Sequence, residues 1–176
     1  MRLFIAIDCE QLNGYFLELQ NNIPNADLTL TKSFHLTLKF LGDVQTNTTE
    51  KILETLNEIS YTKFSFKLDK VGHFETYGKV NVLWIGIKPE EKVIELQKEI
   101  DKKLSPYFSK EKDFKPHVTL ARIKHVESKK EFLEKFNSIE IDKKEVKVNE
   151  VQLMQSTMDS NGPIYTVIGK KLLFNV

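Results

Sequence analysis

"HLTLKFLG" at His35–Gly42 and "HVTLARIK" at His117–Lys124 are the stretches on which the reading of the chain turns. Both alternate with a period of two, the spacing of a strand whose two faces meet different surroundings. Leu36 and Leu38 share one face of the first, and Val118 and Leu120 share one face of the second. The opposite faces carry His35 with Thr37 and His117 with Thr119, a polar pair where a core-facing strand is apolar. Two of the chain's four histidines therefore stand in His-x-Thr-Leu. Chance gives such a pair of His-x-Thr matches roughly 3% of the time, so the repetition counts as signal. The histidines lie 82 positions apart (117 − 35) in 176 residues, close to half the chain, and each opens a strand followed by a charged helical pattern. Two similar halves facing one another form a cleft with one copy of the motif on each wall.

Outward from these motifs, alternation and β-branched or aromatic residues predict further strands at Arg2–Asp8, Phe64–His73, Lys79–Lys88, Val146–Ser156 and Ile164–Phe174. Helical periodicity covers Gln11–Ile23, Thr49–Ile59, Glu91–Leu104 and Ser128–Phe136, the last with Ser128 as N-cap and Glu131 three residues on. "FETYGK" at Phe74–Lys79 joins two strands as a hairpin. Strands and helices mix without strict alternation, which defines an α+β class. No Gly-, Ser- or Pro-rich linker divides the chain, so residues 1–176 are read as one domain.

Composition removes several classes of function. Lys and Arg total 26 against 25 Asp and Glu, a net charge of +1, which excludes a general nucleic-acid coater and leaves only locally held partners. The paired lysines at 102–103, 129–130, 143–144 and 170–171 read as solvated faces. No apolar stretch approaches the roughly 20 residues of a membrane span. "MRLFIAIDCE" reads as a strand, not a signal peptide, and the single cysteine, Cys9, has no internal partner; both point to a soluble protein of the reducing cytosol.

Histidine, with an ordinary pKa near 6.5, either takes or gives a proton at neutral pH. In-line displacement at phosphorus needs a base for the incoming oxygen and an acid for the leaving one, on opposite sides of the phosphate. Two facing strands supply that geometry, and threonine hydroxyls on the same faces can donate to the non-bridging oxygens. No His-Glu-x-x-His, Cys-x-x-Cys or nucleophile-elbow pattern is present, so neither metal nor cofactor is expected. His73 and His125 lack a threonine partner and read as structural or exposed. Arg122 is a candidate phosphate clamp, although strict alternation puts it on the face of Val118 and Leu120 unless the strand bulges. Lys39 alternates onto the face of His35, where a phosphate contact and a solvated amine are equally open. Phe34, Phe40 and Phe114 are read as core, with base stacking as the alternative.

"HLTLKFLGDV" at His35–Val44 and "KPHVTLAR" at Lys115–Arg122 resemble the paired His-x-Thr-x motifs of the two-histidine phosphoesterases, and more narrowly the RNA 2′,3′-cyclic phosphodiesterase family, historically the 2′-5′ RNA ligases. The likeness extends through "RLFIAID", "GKVNVLWIGI" and "QSTMDSNGPIYTVI". It implies a bilobal fold of pseudo-twofold symmetry, each lobe an antiparallel sheet backed by helices. The implied activity is metal-free hydrolysis of RNA 2′,3′-cyclic phosphates to 2′-phosphomonoesters. The implied partners are RNA ends carrying that group, tRNA-derived ends among them, with the protein a monomer and no membrane involved. By motif position His35 becomes the proton donor and His117 the proton acceptor, with Thr37, Thr119 and Arg122 on the phosphate. These acid and base labels are inherited, since the residues themselves are symmetric between them. Gln155 stands where such proteins often have Glu, which removes a charge there. A non-catalytic module for RNA ends or nucleotides, and 2′-5′ ligation by the reverse reaction, are the alternatives.

Overall fold

The computed structural model describes residues 1–176. In chain order the elements are β1 (Arg2–Asp8), α1 (Asn13–Gln20), β2 (Asp27–Leu30), β3 (His35–Asp43), α2 (Thr46–Asn57), β4 (Phe64–Thr76), β5 (Lys79–Lys88), α3 (Glu91–Leu104), β6 (His117–His125), α4 (Lys129–Asn137), β7 (Glu145–Val148), β8 (Glu150–Asp159) and β9 (Gly162–Leu172). The strand expected over Val146–Ser156 is divided at Asn149, whose carbonyl accepts from the Leu173 N–H at 2.9 Å. The short strand β2 was not among the expected elements. Its "DLTL" is too brief and too polar for a pattern, and it exists because β6 offers it an edge. The α4 cap is as expected, with Ser128 Oγ accepting from the Glu131 N–H at 3.4 Å. Between β4 and β5, Tyr77 and Gly78 both take positive φ (51° and 72°), the geometry of a two-residue hairpin turn matched to strand twist.

All named strand pairs are antiparallel, in the order β7-β4-β5-β6-β3-β1-β8-β9, with β2 also on β6. The two lobes are β7-β4-β5-β6 and β3-β1-β8-β9. Their sheets join through the pair Leu36↔Val118, so the backbone forms one curled nine-stranded sheet. Leu36, Leu38, Val118 and Leu120 turn into a core of 29 buried side chains that also takes Ile52 and Leu56 from α2 and Val93, Leu96 and Ile100 from α3. Each such fully buried aliphatic contributes about 1.5–3 kcal/mol of transfer free energy. Between the halves, opposite that core, the polar faces are left open. No helix is long and apolar enough to cross a membrane.

One local feature corrects the sequence reading. Along β3, Thr37 pairs with Ala6 and Lys39 with Ile5, so Leu38 is an extra residue; along β6, Thr119 pairs with Trp84 and Ala121 with Leu83, so Leu120 is extra. Each is a β-bulge, and a bulge reverses which face every later side chain takes. Lys39 and Ala121 thus turn inward behind Leu38 and Leu120, while Phe40 and Arg122 turn toward the cleft. Lys39 is neither solvated nor on the phosphate face: it is 1% exposed and bonded to Asp101. Phe40, read as core, is 65% exposed; Phe34 is fully buried and Phe114 packs against the core.

Candidate functional site

The opening between the lobes is a cleft of about 680 Å³, a volume suited to a nucleotide-sized ligand. His35, Thr37, His117, Thr119 and Arg122 all line it. The antiparallel pair Leu36↔Val118 orders them: one residue to either side, His35 stands next to Thr119 and Thr37 next to His117. Each histidine is therefore accompanied by the hydroxyl of the opposite motif. His73 and His125 stay outside; His73 Nε2 contacts Glu75 Oε1 at 3.0 Å, and His125 is exposed at the end of β6. Gln155 is absent from the lining, whereas the adjacent Ser156 belongs to it.

The two imidazoles sit in different boxes. The His35 ring lies 4.9 Å from the Phe4 ring and 5.1 Å, edge-on, from Tyr165. Its Nδ1 is buried and makes no hydrogen bond within the protein. Burial, followed by the nearby charges of His117 and Arg122, holds its pKa down at about 4. The His117 ring lies 4.8 Å from Phe74 and 5.9 Å from Trp84, and its Nδ1 is 2.7 Å from the Lys115 carbonyl oxygen. That oxygen can only accept, so Nδ1 carries the proton and neutral His117 offers the lone pair of Nε2. Burial lowers its pKa as well, and the Lys115 hydrogen bond works against that. Trp84 reaches its place because Gly72 has no side chain, since a Cβ there would stand 2.2 Å from the indole ring. Phe4, Phe74, Trp84 and Tyr165 escaped the sequence reading, for two pairs of rings, each drawn from separate strands, leave no local pattern.

The cleft lining contains no Asp or Glu and no Lys, in a chain with 25 acids and only two arginines among its 26 basic residues. Both arginines, Arg2 and Arg122, line it. All nine ion pairs of the structure use lysine or histidine as the cation, none arginine. No cluster of three or more His, Cys, Asp or Glu is arranged as a metal-ligand set. A concave surface with two imidazoles, five hydroxyls, two guanidiniums and no carboxylate attracts an anion and offers it proton transfer from either side. Arg2 was missed, although the scarcity of arginine in so lysine-rich a sequence was a signal for it.

A fold of two lobes around a cleft walled by twinned His-x-Thr strands defines the two-histidine phosphoesterase class. The chain belongs to the 2′-5′ RNA ligase superfamily, whose family model matches residues 27–159. It is 36% identical to the RNA 2′,3′-cyclic phosphodiesterase of Methanocaldococcus jannaschii, over 96% of this chain and 98% of that protein, and 32% identical to the RNA 2′,3′-cyclic phosphodiesterase of Thermotoga maritima, over 96% and 93%. Among solved structures, TT0787 of Thermus thermophilus superposes with a TM-score of 0.84 at 24% identity, covering 99% of each chain. Escherichia coli LigT does so at 0.78 and 22%, covering 98% and 97%. At those identities the structural likeness concerns the fold.

Proposed function

We propose that the protein hydrolyses the 2′,3′-cyclic phosphodiester at RNA 3′ ends to a 2′-phosphomonoester, with His35 as proton donor and His117 as proton acceptor. The observation that carries this reading is the acid-free cleft in which both His-x-Thr faces meet. The relatives' shared name supplies the substrate class. Water attacks phosphorus on the side of His117, whose Nε2 takes the proton as the new P–O bond forms. The P–O3′ bond breaks on the opposite side, and O3′ receives the proton of His35. Thr37, Thr119 and the Arg122 fork hold the non-bridging oxygens, where charge accumulates.

The tautomer of His117 supports its role as the base. The depressed pKa of free His35 runs against an acid at neutral pH, and the substrate resolves this. A phosphate anion beside His35, whose buried Nδ1 has no hydrogen-bond partner in the protein, favours its charged form. The reaction as proposed needs no metal. The protein is proposed to act as a monomer in the cytosol, on ends that include those of cleaved tRNA. With a 5′ hydroxyl in place of water as the nucleophile, the same displacement breaks P–O3′ and makes the 2′-5′ linkage named in the superfamily's description. The direct test uses a short RNA ending in a 2′,3′-cyclic phosphate, in chelator, with products identified by phosphorus NMR. A 2′-phosphate from the wild type, lost in H35A and H117A that remain folded, is expected. Binding of that end with no product would sink hydrolysis and leave a binding module.

A further inference from the structure

Arg122, the candidate phosphate clamp, lines the cleft from β6; β1 brings to it a second arginine that the proposed hydrolysis leaves without a task. Arg2 opens β1 with Arg2, Phe4 and Ala6 on one face and the buried Leu3, Ile5 and Ile7 on the other. Its backbone is fixed where β1 pairs with both neighbours, Arg2 standing opposite Asp43 and Ser156, and the Val44 N–H donates to the Met1 carbonyl at 2.7 Å. Phe4, two residues along, carries the ring that lies 4.9 Å from that of His35. Arg2 therefore lies about 7 Å further from the histidines along the strand. A guanidinium at that remove, with a long side chain and no carboxylate partner, is placed for an anion other than the one between the histidines.

Its neighbour is as unusual. Phe40, on β3 opposite Phe4, is brought to the cleft by the bulge and exposes 65% of its surface, its ring 6.2 Å from that of Phe4. The equivalent position on β6 is Arg122. The pseudo-twofold that duplicates the histidines thus gives the cleft two unlike ends: Arg122 at one, and Arg2 with a bare aromatic ring at the other. An exposed ring beside an unpaired arginine suits a nucleobase and a phosphate of the same polynucleotide.

We infer that Arg2 and Phe40 form a nucleotide subsite in which Arg2 pairs with the phosphodiester one linkage upstream of the cyclic phosphate while Phe40 stacks a base. The inference rests on the proposed RNA-end substrate and extends it, because it makes the protein a reader of the polynucleotide chain rather than of a terminal cyclic nucleotide alone. Arginine is the side chain for the task, since its planar fork meets two phosphate oxygens at once, which a lysine ammonium does as a point charge. The use of the chain's only two arginines in this cleft, among 24 lysines elsewhere, follows from that requirement.

The test compares two substrates on one preparation: a nucleoside 2′,3′-cyclic phosphate, which has no upstream phosphate, and the dinucleotide that ends in the same group. The wild type is expected to favour the dinucleotide. In R2A the ratio of the two kcat/KM values falls roughly tenfold to a hundredfold, the worth of one charge-assisted contact, and R2K keeps part of it. F40A lowers the same ratio. A ratio cancels the folded fraction, so an unstable variant still reports. An equal loss on both substrates would put Arg2 on the cyclic phosphate and overturn the inference, as would no loss on either. Equilibrium binding of the dinucleotide and the mononucleotide 3′-monophosphates keeps the two proposals apart. There R2A lowers the magnitude of the salt-dependence slope for the dinucleotide by about 0.7, one phosphate's share, and leaves the mononucleotide slope in place. If neither cyclic substrate is hydrolysed but this binding difference appears, hydrolysis fails and the subsite stands. If hydrolysis proceeds but no binding difference appears, the subsite fails alone.

Discussion

β3 and β6 are two copies of one device, and they differ where a functional pair must. Residue by residue from His35 and from His117, their nine positions share the same order of half-buried, buried and exposed side chains, bulge included. Position one is histidine in both, position three is threonine in both. Position five is Lys39 in one and Ala121 in the other; position six is Phe40 in one and Arg122 in the other. The duplication supplies opposed faces for a symmetric chemical problem, and the neighbours break the symmetry. His117 has its Nδ1 proton claimed by the Lys115 carbonyl, whereas the buried Nδ1 of His35 lies among rings and has no hydrogen-bond partner. Identical side chains on matching strands are thereby assigned unlike proton inventories.

The largest effect should come from breaking that division of labour. H35A and H117A are each expected to lower kcat by roughly 10²–10⁴-fold, the span of a general acid or base. A cyclic substrate with sulfur in place of the 3′ oxygen separates the two, because a thiolate leaves without a proton. Activity on that substrate should return in H35A and stay lost in H117A. Rescue of H117A instead would exchange the labels.

Next in size is the contrast between Lys39 and Ala121. Lys39 Nζ donates to Asp101 Oδ1 at 2.5 Å and to the Ser109 carbonyl at 2.7 Å, and Asp101 Oδ2 accepts from Gln97 Nε2 and the Glu111 N–H. Burial pushes the Asp101 carboxyl up, but these donors outweigh it and hold it below its ordinary value. The network ties α3 and the segment that follows it to β3, on the way to His117. K39M leaves a buried carboxylate without its cation and should cost about 3–5 kcal/mol by urea unfolding at pH 7, with K39M/D101L recovering much of it. A121G, at the matching position under α4, should cost about 1 kcal/mol or less. Equal costs would show that the two strands are braced alike after all.

These residues also mark how far the sequence could be read. His35, Thr37, His117 and Thr119 were legible because alternation is local and their motif is doubled. Lys39, Phe40 and Arg122 were misplaced or left in doubt for one physical reason. A bulge is made by the register against the neighbouring strand, and the extra residue, Leu38 or Leu120, has no signature of its own. β2 and the split at Asn149 went unseen because pairing partners far along the chain create them. Arg2 sits in a stretch that reads only as a strand, and what sets it apart is the composition of the rest of the chain.

A smaller effect tests the two imidazole boxes through stability. With His35 held near pKa 4 in the folded state and about 6.5 unfolded, the unfolded chain binds more protons between those values, so stability rises with pH across that window. Acidification from pH 6.5 to below 4 should cost up to about 3 kcal/mol through this one group, and nothing above pH 7. Urea unfolding of H35N at pH 7 and pH 4.5 should show a smaller acid loss than the wild type. H117N should flatten the profile less, because the Lys115 carbonyl already favours the charged form of His117. An unchanged profile in H35N would mean that His35 keeps an ordinary pKa in the folded protein.

The smallest effects separate what the duplication keeps symmetric from what it does not. Thr37 and Thr119 each stand next to the histidine of the other motif, so both hydroxyls are proposed to donate to the same phosphate from opposite walls. T37V and T119V should each lower kcat/KM about tenfold, the value of one hydrogen bond to a charged oxygen, with T37S and T119S close to wild type. The two losses should agree within a factor of about three, unlike the histidine substitutions on the sulfur substrate. Because one anion receives both donors, the double variant should depart from the product of the single effects. A large loss in one valine variant and none in the other would mean that the phosphate leans on a single wall. The symmetry of the strands would then be a property of the fold and not of the bound anion.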